Sequence, residues 1–361
     1  MKRLFTTLLM LCVIIASHAE DFCVDGIYYD VIYVTGHPVR LVRSDTSGQY
    51  YTGNITVPKT VTYNGEEHNV TEIYSHAFYN CSGVTSVVIG NNITKIWSYA
   101  FWECTGVSSI TIGSGVTEIG SRAFDDCTGE LTVNCVIPDE AFAYADFTKV
   151  NMQYNHKVTS IGNKAFYDCT KMTTVNLPAR ITSIGNSAFE GCISLKSFEI
   201  PYNTTSIGSK AFFACTSLES IVIPQNVTEI GANAFDYCTS LKEVTIGENV
   251  TTIGDYAFDD CNSITSINCK AMNPPYVYGE TFNSVPTTAV LHVPAGTADT
   301  YRNTYGWNHF TNIVDDLTPT GITNIPAEVN SDSNNCHKTL KNGKIEIKKD
   351  GHRYNIIGQK Y

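Results

Sequence analysis

Apolar and polar positions along the chain repeat with a period of 23 residues, most regularly at residues 207–229, IGSKAFFACTSLESIVIPQNVTE. Every step between equivalent cysteines is 23 residues, except the step from Cys127 to Cys169, which is 42. Self-similarity at a fixed period of this length predicts a solenoid in which each repeat forms one coil. The clearest marker is a phenylalanine followed three residues later by a cysteine, at Phe78/Cys81, Phe101/Cys104, Phe124/Cys127, Phe166/Cys169, Phe189/Cys192, Phe212/Cys215, Phe235/Cys238 and Phe258/Cys261.

Within one repeat, the pattern predicts two short strands and a tight turn. Leu218, Ile221 and Ile223 have the LxxLxL spacing of a leucine-rich repeat, and Asn226 follows them. Ile221 and Ile223 point to one face of their strand because side chains alternate along a strand. A second extended piece at residues 227–230 leads into the next turn. One coil buries too few side chains to offset the entropy of ordering its backbone, so we expect coils to stack about 4.8 Å apart as a parallel sheet.

The repeat "IGxxAFxxCxSLxxIxIPxxVTxI" resembles the BspA-type leucine-rich repeat family of bacterial surface proteins over roughly residues 22–314. The resemblance implies a right-handed leucine-rich-repeat solenoid, with a parallel β-sheet on one face and short turns or helical segments on the other. It also implies adhesion or protein binding.

Breaks in the period predict how the chain is divided. Residues 22–65 alternate in polarity and contain Asn64-Gly65, which indicates β-hairpins that cap one end of the solenoid. The tail also alternates, which indicates a small β-meander, and it resembles a short remnant of a sorting or anchoring module. The predicted segments are a signal peptide (1–19), an N-terminal β cap (20–68), repeats (69–270), a C-terminal cap (271–314), a linker (315–339) and a short β tail (340–361).

The 42-residue step predicts a degenerate coil at residues 136–157. Ala141-Phe142 keeps the usual pair, Ala145 stands where cysteine is expected, and Val150 and Met152 replace the strand pair. The extended piece before it is missing, so we expect a bulge or bend there.

Composition and the first residues point to export. Lys2 and Arg3 precede an apolar run at residues 8–16 and the small-residue site at residues 17–19, which is typical of a signal peptide. The run is too short for a membrane anchor, and no other stretch is long enough to span a bilayer. A formal net charge of −11 argues against nucleic-acid binding, which needs clustered Lys and Arg. We therefore predict an exported protein that is secreted or located at the cell surface.

Thirteen cysteines in an exported chain would ordinarily suggest disulfides. Eight of them share one repeat position, and Cys135 and Cys269 stand where other repeats have isoleucine. We expect free, buried thiols, with disulfides as the alternative. Cys23 and Cys336 lie outside the pattern and are not assigned.

The sequence contains no convincing active site, cofactor site or metal site. Asp125-Asp126 and Asp259-Asp260 could in principle hydrolyse sugars, but they fall on predicted exposed turns. Five Asn-x-Ser/Thr sequons occupy one repeat position, where we expect the amide to satisfy backbone groups of the turn, with glycosylation as the alternative: Asn69, Asn92, Asn203, Asn226 and Asn249. We therefore predict a chain that is not an enzyme.

Aromatic residues cluster in the first two repeats, whereas the outward strand positions are small and polar. This predicted patch, the N-terminal aromatic patch, consists of Tyr74, Tyr79, Trp97, Tyr99 and Trp102. We predict that it contributes a partner site; the alternative is that the N-terminal hairpins cover it. The expected partner is a protein or glycan, and the chain is expected to be a monomer.

The leading functional hypothesis is an exported surface protein that adheres to host or bacterial macromolecules through its repeats. Two alternatives remain open: a structural spacer that presents its caps or tail, and, more remotely, an enzyme acting on polysaccharides.

Overall fold

The computed structural model describes residues 22–32, 36, 38–42, 50–152 and 158–318, and the backbone of three strands between residues 336 and 354. The chain divides into two compact units, Met1–Pro319 and Thr320–Tyr361. The predicted signal peptide at 1–19 and most of the predicted linker lie outside the described residues. The domain boundaries given above remain predictions.

The N-terminal region consists of hairpins whose strands also begin the solenoid. β1 pairs with β2, β2 with β3, and β5 with β6, all antiparallel. The β5–β6 turn is Asn64-Gly65, with φ of 51° and 82°, the left-handed values that a tight hairpin requires. β3 pairs with β6 in parallel, so this region is already stacked on the array. The strands are β1 (Phe22–Val24), β2 (Ile27–Val31), β3 (Val39–Leu41), β4 (Gly53–Thr56), β5 (Thr60–Tyr63) and β6 (Glu66–Ile73).

The solenoid continues through eighteen strands. They are β7 (Val84–Ile89), β8 (Lys95–Ile96), β9 (Ser109–Ile112), β10 (Glu118–Ile119), β11 (Thr128–Val133), β12 (Asp146–Met152), β13 (Ser160–Ile161), β14 (Thr174–Asn176), β15 (Ser183–Ile184), β16 (Ser206–Ile207), β17 (Ser220–Val222), β18 (Glu229–Ile230), β19 (Glu243–Ile246), β20 (Thr252–Ile253), β21 (Ser266–Cys269), β22 (Tyr276–Val277), β23 (Val290–Pro294) and β24 (Asn312–Leu317).

These strands form two flanks of parallel stacks, which confirms the predicted leucine-rich-repeat solenoid. The wider flank contains β4-β7-β9-β11-β12-β14 and then β17-β19-β21-β23-β24. The second flank contains two-residue strands, including β13-β15-β16-β18-β20-β22. Equivalent residues align in register, as in Ile207 with Ile230 and Ile221 with Val244. Tight turns join the flanks. Within the described residues, helix is limited to α1 (Ala298–Arg302) and a 3-10 turn (Trp307–His309).

The core is built from columns of identical side chains. Ten buried phenylalanines stack with ring centroids 4.6–5.8 Å apart: Phe78, Phe101, Phe124, Phe142, Phe166, Phe189, Phe212, Phe235, Phe258 and Phe282. Beside them runs the cysteine column, which is also buried. All cysteines whose side chains the structure describes are free thiols, as the shared repeat position predicts.

The irregular coil keeps the core continuous. Phe142 lies 5.4 Å from Phe124 and 5.3 Å from Phe166, and Phe147 packs against it at 6.4 Å, next to the position where Ala145 replaces cysteine. Ile137 forms a parallel bridge with Ile161, so it supplies the second-flank position that the sequence pattern lacks. A register shift lies between Gly129 and Glu130, where β11 pairs with β12, and the bulge or bend expected at residues 136–157 stays a prediction. Residues 153–157 lie outside the described part of the chain.

The predicted C-terminal cap at 271–314 continues the stacking. β22 pairs with β20, and β23 and β24 extend the wider flank. Phe282 prolongs the phenylalanine column, and the fully buried Tyr301 and Trp307 close its end. The unit after residue 319 contains an antiparallel meander of β25 (Cys336–Lys341), β26 (Lys344–Lys349) and β27 (His352–Tyr354). No helix in the described part of the chain has the length and apolar character needed to cross a membrane.

Candidate functional site

The turn after the second flank carries large exposed side chains in several coils, including Tyr237 and Tyr256. Each regular turn contains two residues at positive φ, one before the Ala-Phe pair and one before the cysteine, as with Tyr99 (60°) and Glu103 (59°). The left-handed conformation costs a residue other than glycine about 1 kcal/mol or more, and stacking of the neighbouring coils offsets it. The turn therefore presents a fixed row of variable side chains.

The N-terminal aromatic patch separates into two groups. In the first, Tyr74 and Trp97 meet edge to face at 5.4 Å. The Trp97 indole N–H donates to Glu72 Oε2 at 2.7 Å, and Lys95 Nζ lies 4.0 Å from the centroid of the same ring. Arg40 lies 3.8 Å over Tyr74. These contacts use both rings for interactions within the protein.

The second group surrounds His76. The His76 ring stacks on Tyr99 at 5.4 Å, and Trp102 lies 4.9 Å from Tyr79 and 5.5 Å from Tyr99. All five predicted residues are half-buried. The sequence placed them correctly in neighbouring turns, but the structure leaves none of them strongly exposed. Contact of Arg40, in β3, with Tyr74 agrees in part with the alternative in which the N-terminal hairpins cover the patch.

The outward face of the wider flank is polar, and its side chains bond to those of neighbouring coils. Asn176 donates to Asn151 at 2.7 Å, and Lys242 contacts Glu219 at 3.4 Å, each across neighbouring coils. Val88 and Val222 are its exposed large apolar residues, at 42% and 59% exposure. The face has few groups that could anchor a partner, because anchors at interfaces are usually aromatic residues or arginine.

A cleft in the C-terminal cap, here called the cap cleft, was missed by the sequence analysis. It has a volume of about 260 Å³ and is lined by Tyr278, Gly279, Phe282, Asn283, Tyr305, Gly306, Asn308 and His309. Tyr305 and Tyr278 are 69% and 46% exposed, and Tyr276, 64% exposed, meets Tyr278 edge to face at 5.1 Å. These are among the most exposed aromatic rings in the described residues.

Local packing explains the shape of the cap cleft. Gly306 adopts φ of 81°, and a Cβ there would lie 2.1 Å from Val277, so glycine is required. A Cβ at Gly279 would meet the Tyr305 hydroxyl at 3.2 Å. His309 Nε2 lies 2.7 Å from the carbonyl oxygen of Val285, which holds the imidazole at the cleft wall. The signal in the sequence was the loss of the 23-residue period at a tyrosine-rich segment, which indicates a cap but not a cleft.

The acidic pair Asp125-Asp126 does not form an arrangement typical of hydrolysis. Asp125 Oδ2 lies 3.3 Å from Arg122 Nη1, three residues earlier. Burial raises the pKa of Asp125, Asp126 raises it further, and Arg122 lowers it. A carboxylate paired to a guanidinium in this way is typical of a structural ion pair.

Asparagines at the shared repeat position donate hydrogen bonds to backbone carbonyls of the preceding coil, as expected. The side-chain amides of Asn203, Asn226 and Asn249 donate to the carbonyl oxygens of Ala179, Tyr202 and Gln225 at 2.8–2.9 Å. Asn92 donates to Val70 O at 2.7 Å. Asn69 differs, because it lies within β6 and pairs with β5.

Comparison with known proteins identifies the repeats. The model of the BspA type Leucine rich repeat region matches residues 53–134 and 135–265, in six copies. No curated protein sequence matches the chain.

Solved structures with a similar fold include three bacterial proteins. A leucine-rich repeat protein from Bacteroides ovatus is 24% identical, with a TM-score of 0.47, over 81% of this chain and 88% of that one. A leucine rich cell surface protein from Faecalibacterium prausnitzii is 22% identical, with a TM-score of 0.40, over 83% and 95%. The pneumococcal vaccine antigen PcpA is 16% identical, with a TM-score of 0.41, over 83% and 99%.

Proposed function

Because the chain belongs to the BspA-type leucine-rich repeat family, we propose that it is an exported cell-surface protein that binds macromolecules and has no catalytic activity. Its repeats form a rigid scaffold, since every coil shares its core and its backbone hydrogen bonds with its neighbours. Its partner is a protein or glycan of a host or neighbouring bacterial cell.

The observation that carries this proposal is the cap cleft. Tyr278 and Tyr305 expose large rings beside the amides of Asn283 and Asn308. Aromatic rings supply much contact area at small entropic cost, and amides supply directional hydrogen bonds. A cleft of about 260 Å³ accommodates one side chain or one sugar unit of a larger partner. The N-terminal aromatic patch is a weaker candidate, because Glu72, Lys95 and Arg40 already engage the rings of Trp97 and Tyr74, and all five of its residues are half-buried.

The second candidate function is a structural spacer. The polar, self-bonded outward face of the wider flank favours it, because that face offers few anchors to a partner. In that case the solenoid would only hold its caps or tail away from the cell.

Export and surface attachment belong to the same proposal. They are supported by the signal-peptide pattern of residues 1–19 and by the family's association with bacterial surfaces. The meander after residue 336 would then serve in sorting or anchoring.

A binding array of extracellular-matrix proteins and glycans, probed with the chain lacking residues 1–19, tests the proposal. The variant Y278A/Y305A should bind at least about tenfold more weakly, since truncation of central aromatic anchors costs more than about 1 kcal/mol. Y202A is the matched control, because Tyr202 is 55% exposed on another coil.

Three other results have defined meanings. Loss of binding in W97A/W102A alone would assign the site to the N-terminal aromatic patch. No binding to any probe would favour the spacer. Equal binding by all variants would contradict both candidate surfaces.

A further inference from the structure

Three aspartates from the last two regular coils converge at the outer turn, forming the carboxylate cluster Asp236, Asp259 and Asp260. One carboxylate oxygen of each lies within 4.8 Å of one from each of the others. Asp236 and Asp259 occupy the same repeat position, 23 residues apart, so stacking alone places them side by side. In the described part of the chain, none of the three takes part in an ion pair.

Asp236 is the buried member of the cluster. It is 4% exposed, and its Oδ2 accepts a hydrogen bond of 2.8 Å from Asn233 Nδ2. Its Oδ1 is buried and has no hydrogen-bond partner. A buried carboxylate oxygen without a partner is costly, so it needs either a proton or a cation.

A second coil shows how the same position is otherwise neutralised. Asp125 is equivalent to Asp236, and Arg122, three residues before it, forms an ion pair at 3.3 Å. Three residues before Asp236 stands Asn233, which is neutral. Asp125 therefore has a cation three residues before it, whereas Asp236 has a neutral residue at the equivalent position.

The Asp259 carboxylate is held in place by the C-terminal cap and by the backbone N–H of Asp260. Asp259 Oδ1 accepts from the Ser284 hydroxyl at 2.7 Å, the Ser284 N–H at 3.2 Å and the Asp260 N–H at 2.9 Å. The Asp259 carboxylate is thus oriented before any ion binds.

We propose that Asp236, Asp259 and Asp260 form a binding site for a divalent cation, with Ca²⁺ the best fit. Ca²⁺ binds oxygen ligands at about 2.3–2.6 Å, so two ligands of one ion lie at most about 5 Å apart, which accommodates the separations here. Mg²⁺ demands near-ideal octahedral geometry and gives up its bound water reluctantly, so three carboxylates on one turn suit the more flexible coordination of Ca²⁺ better. Three carboxylates, with water completing the shell, give an expected Kd on the order of 10⁻⁴–10⁻³ M, the range of extracellular calcium modules.

The proposal does not depend on the cap cleft binding a partner. It does connect the two places, because Ser284, which donates to Asp259, follows Phe282 and Asn283 of the cleft. A cation would fix the last coils to the start of the C-terminal cap.

Terbium luminescence tests the site directly in the full chain. Tb³⁺ resembles Ca²⁺ in size and ligand preference, and excitation of Tyr237 should sensitise it. Titration should give saturable luminescence that Ca²⁺ displaces and Mg²⁺ at the same concentration does not. D236N and D260N should each weaken Tb³⁺ binding by at least about tenfold.

Two further variants distinguish Tb³⁺ binding at this site from non-specific attraction of Tb³⁺ to an acidic chain. D125N removes an equivalent carboxylate elsewhere and should leave luminescence unchanged. N233R places a guanidinium where Arg122 stands in the other coil, and it should fold normally and abolish Tb³⁺ binding.

The opposite results would overturn the proposal. One such result is a full chain that gives no Tb³⁺ luminescence. Another is luminescence in D236N and D260N that equals that of the parent chain. A third is luminescence that Ca²⁺ does not reduce. Thermal unfolding gives a second readout. Ca²⁺ should raise the Tm of the parent chain but not that of N233R. A D236N variant that is more stable than the parent, together with no effect of Ca²⁺ on the parent, would show a protonated Asp236 instead.

Discussion

The thiol of Cys215 donates a hydrogen bond of 3.2 Å to the backbone carbonyl of Phe189 in the preceding coil. The same carbonyl oxygen also accepts a hydrogen bond of 3.3 Å from the Cys192 N–H. The thiol of Cys215 therefore uses the second lone pair of the Phe189 oxygen. The same bond, at 3.0–3.3 Å, is made by Cys104, Cys127, Cys169, Cys192, Cys238 and Cys261. Cysteine therefore serves as a small apolar group that still carries a donor.

This relationship predicts how the cysteine column responds to substitution. C215A should lower the free energy of unfolding by about 1–2 kcal/mol, since it removes both the buried sulfur and the hydrogen bond. C215S should recover part of this loss because its hydroxyl can donate to the same carbonyl. Urea unfolding measures both. A serine variant much less stable than the alanine variant would show that the column is simply an apolar pocket.

The phenylalanine column should contribute as much to the free energy of unfolding in the irregular coil as it does in the regular coils. F142A should cost about 3–5 kcal/mol, as expected for a buried ring, because Phe142 contacts Phe124 and Phe166 on both sides. F212A, in a regular coil, is the matched control and should cost a similar amount. A much smaller loss for F142A in urea unfolding would mean that the irregular coil interrupts the core.

Trp97 should contribute to stability. W97A should cost about 2–3 kcal/mol, because the half-buried ring packs on Tyr74, donates to Glu72 and lies beside Lys95. E72A keeps the ring and removes only the hydrogen-bond acceptor, so it should cost about 1 kcal/mol. Wild-type stability for W97A would instead leave Trp97 free to act mainly in binding.

The asparagine column should require an amide donor. N226A should cost about 0.5–1.5 kcal/mol through loss of the bond to Tyr202 O. N226D should cost more, because it keeps the shape of the side chain but directs a carboxylate oxygen at a carbonyl oxygen. Chemical unfolding measures the free energy of unfolding of both variants. An N226D variant as stable as wild type would contradict the role of the amide as a hydrogen-bond donor.

Alkaline pH should destabilise the fold. Burial raises the pKa of Cys135 to about 12 and that of Cys269 to about 11, above the ordinary 9.0. Between pH 9 and the folded pKa, the unfolded chain binds fewer protons than the folded chain, so stability falls as pH rises. Each such thiol contributes a slope of about 1.4 kcal/mol per pH unit in that window.

Urea midpoints measured between about pH 8 and pH 11 test this dependence. C135V should reduce the slope, and C23S, which alters an exposed cysteine, should not. A flat profile for the parent chain would mean that the thiols are less buried than the structure indicates.

The candidate sites were predicted less completely than the fold. Trp97 and Trp102 were placed in neighbouring turns because the period fixes which turn each residue joins. The exposure of Trp97 depends on its contacts with Glu72 and Lys95, which no spacing reveals. The exposure of Trp102 depends on the rings of Tyr79 and Tyr99. The cap cleft was missed because Tyr278 and Tyr305 are brought together by a segment that has lost the repeat.

By itself, the sequence determined the coil, its two strands, its buried columns and the stacking of equivalent residues. It could do so because a 23-residue period places each residue next to its counterpart in the adjacent coil, without any long-range information. Only the tertiary structure decided the backbone pairing where the period fails and the contacts that individual side chains make. Ile137 bridging Ile161, the cleft around Gly306 and the convergence of Asp236 with Asp260 all depend on three-dimensional packing. Periodicity specifies neighbours, whereas exposure, pairing and charge balance depend on every group within contact distance.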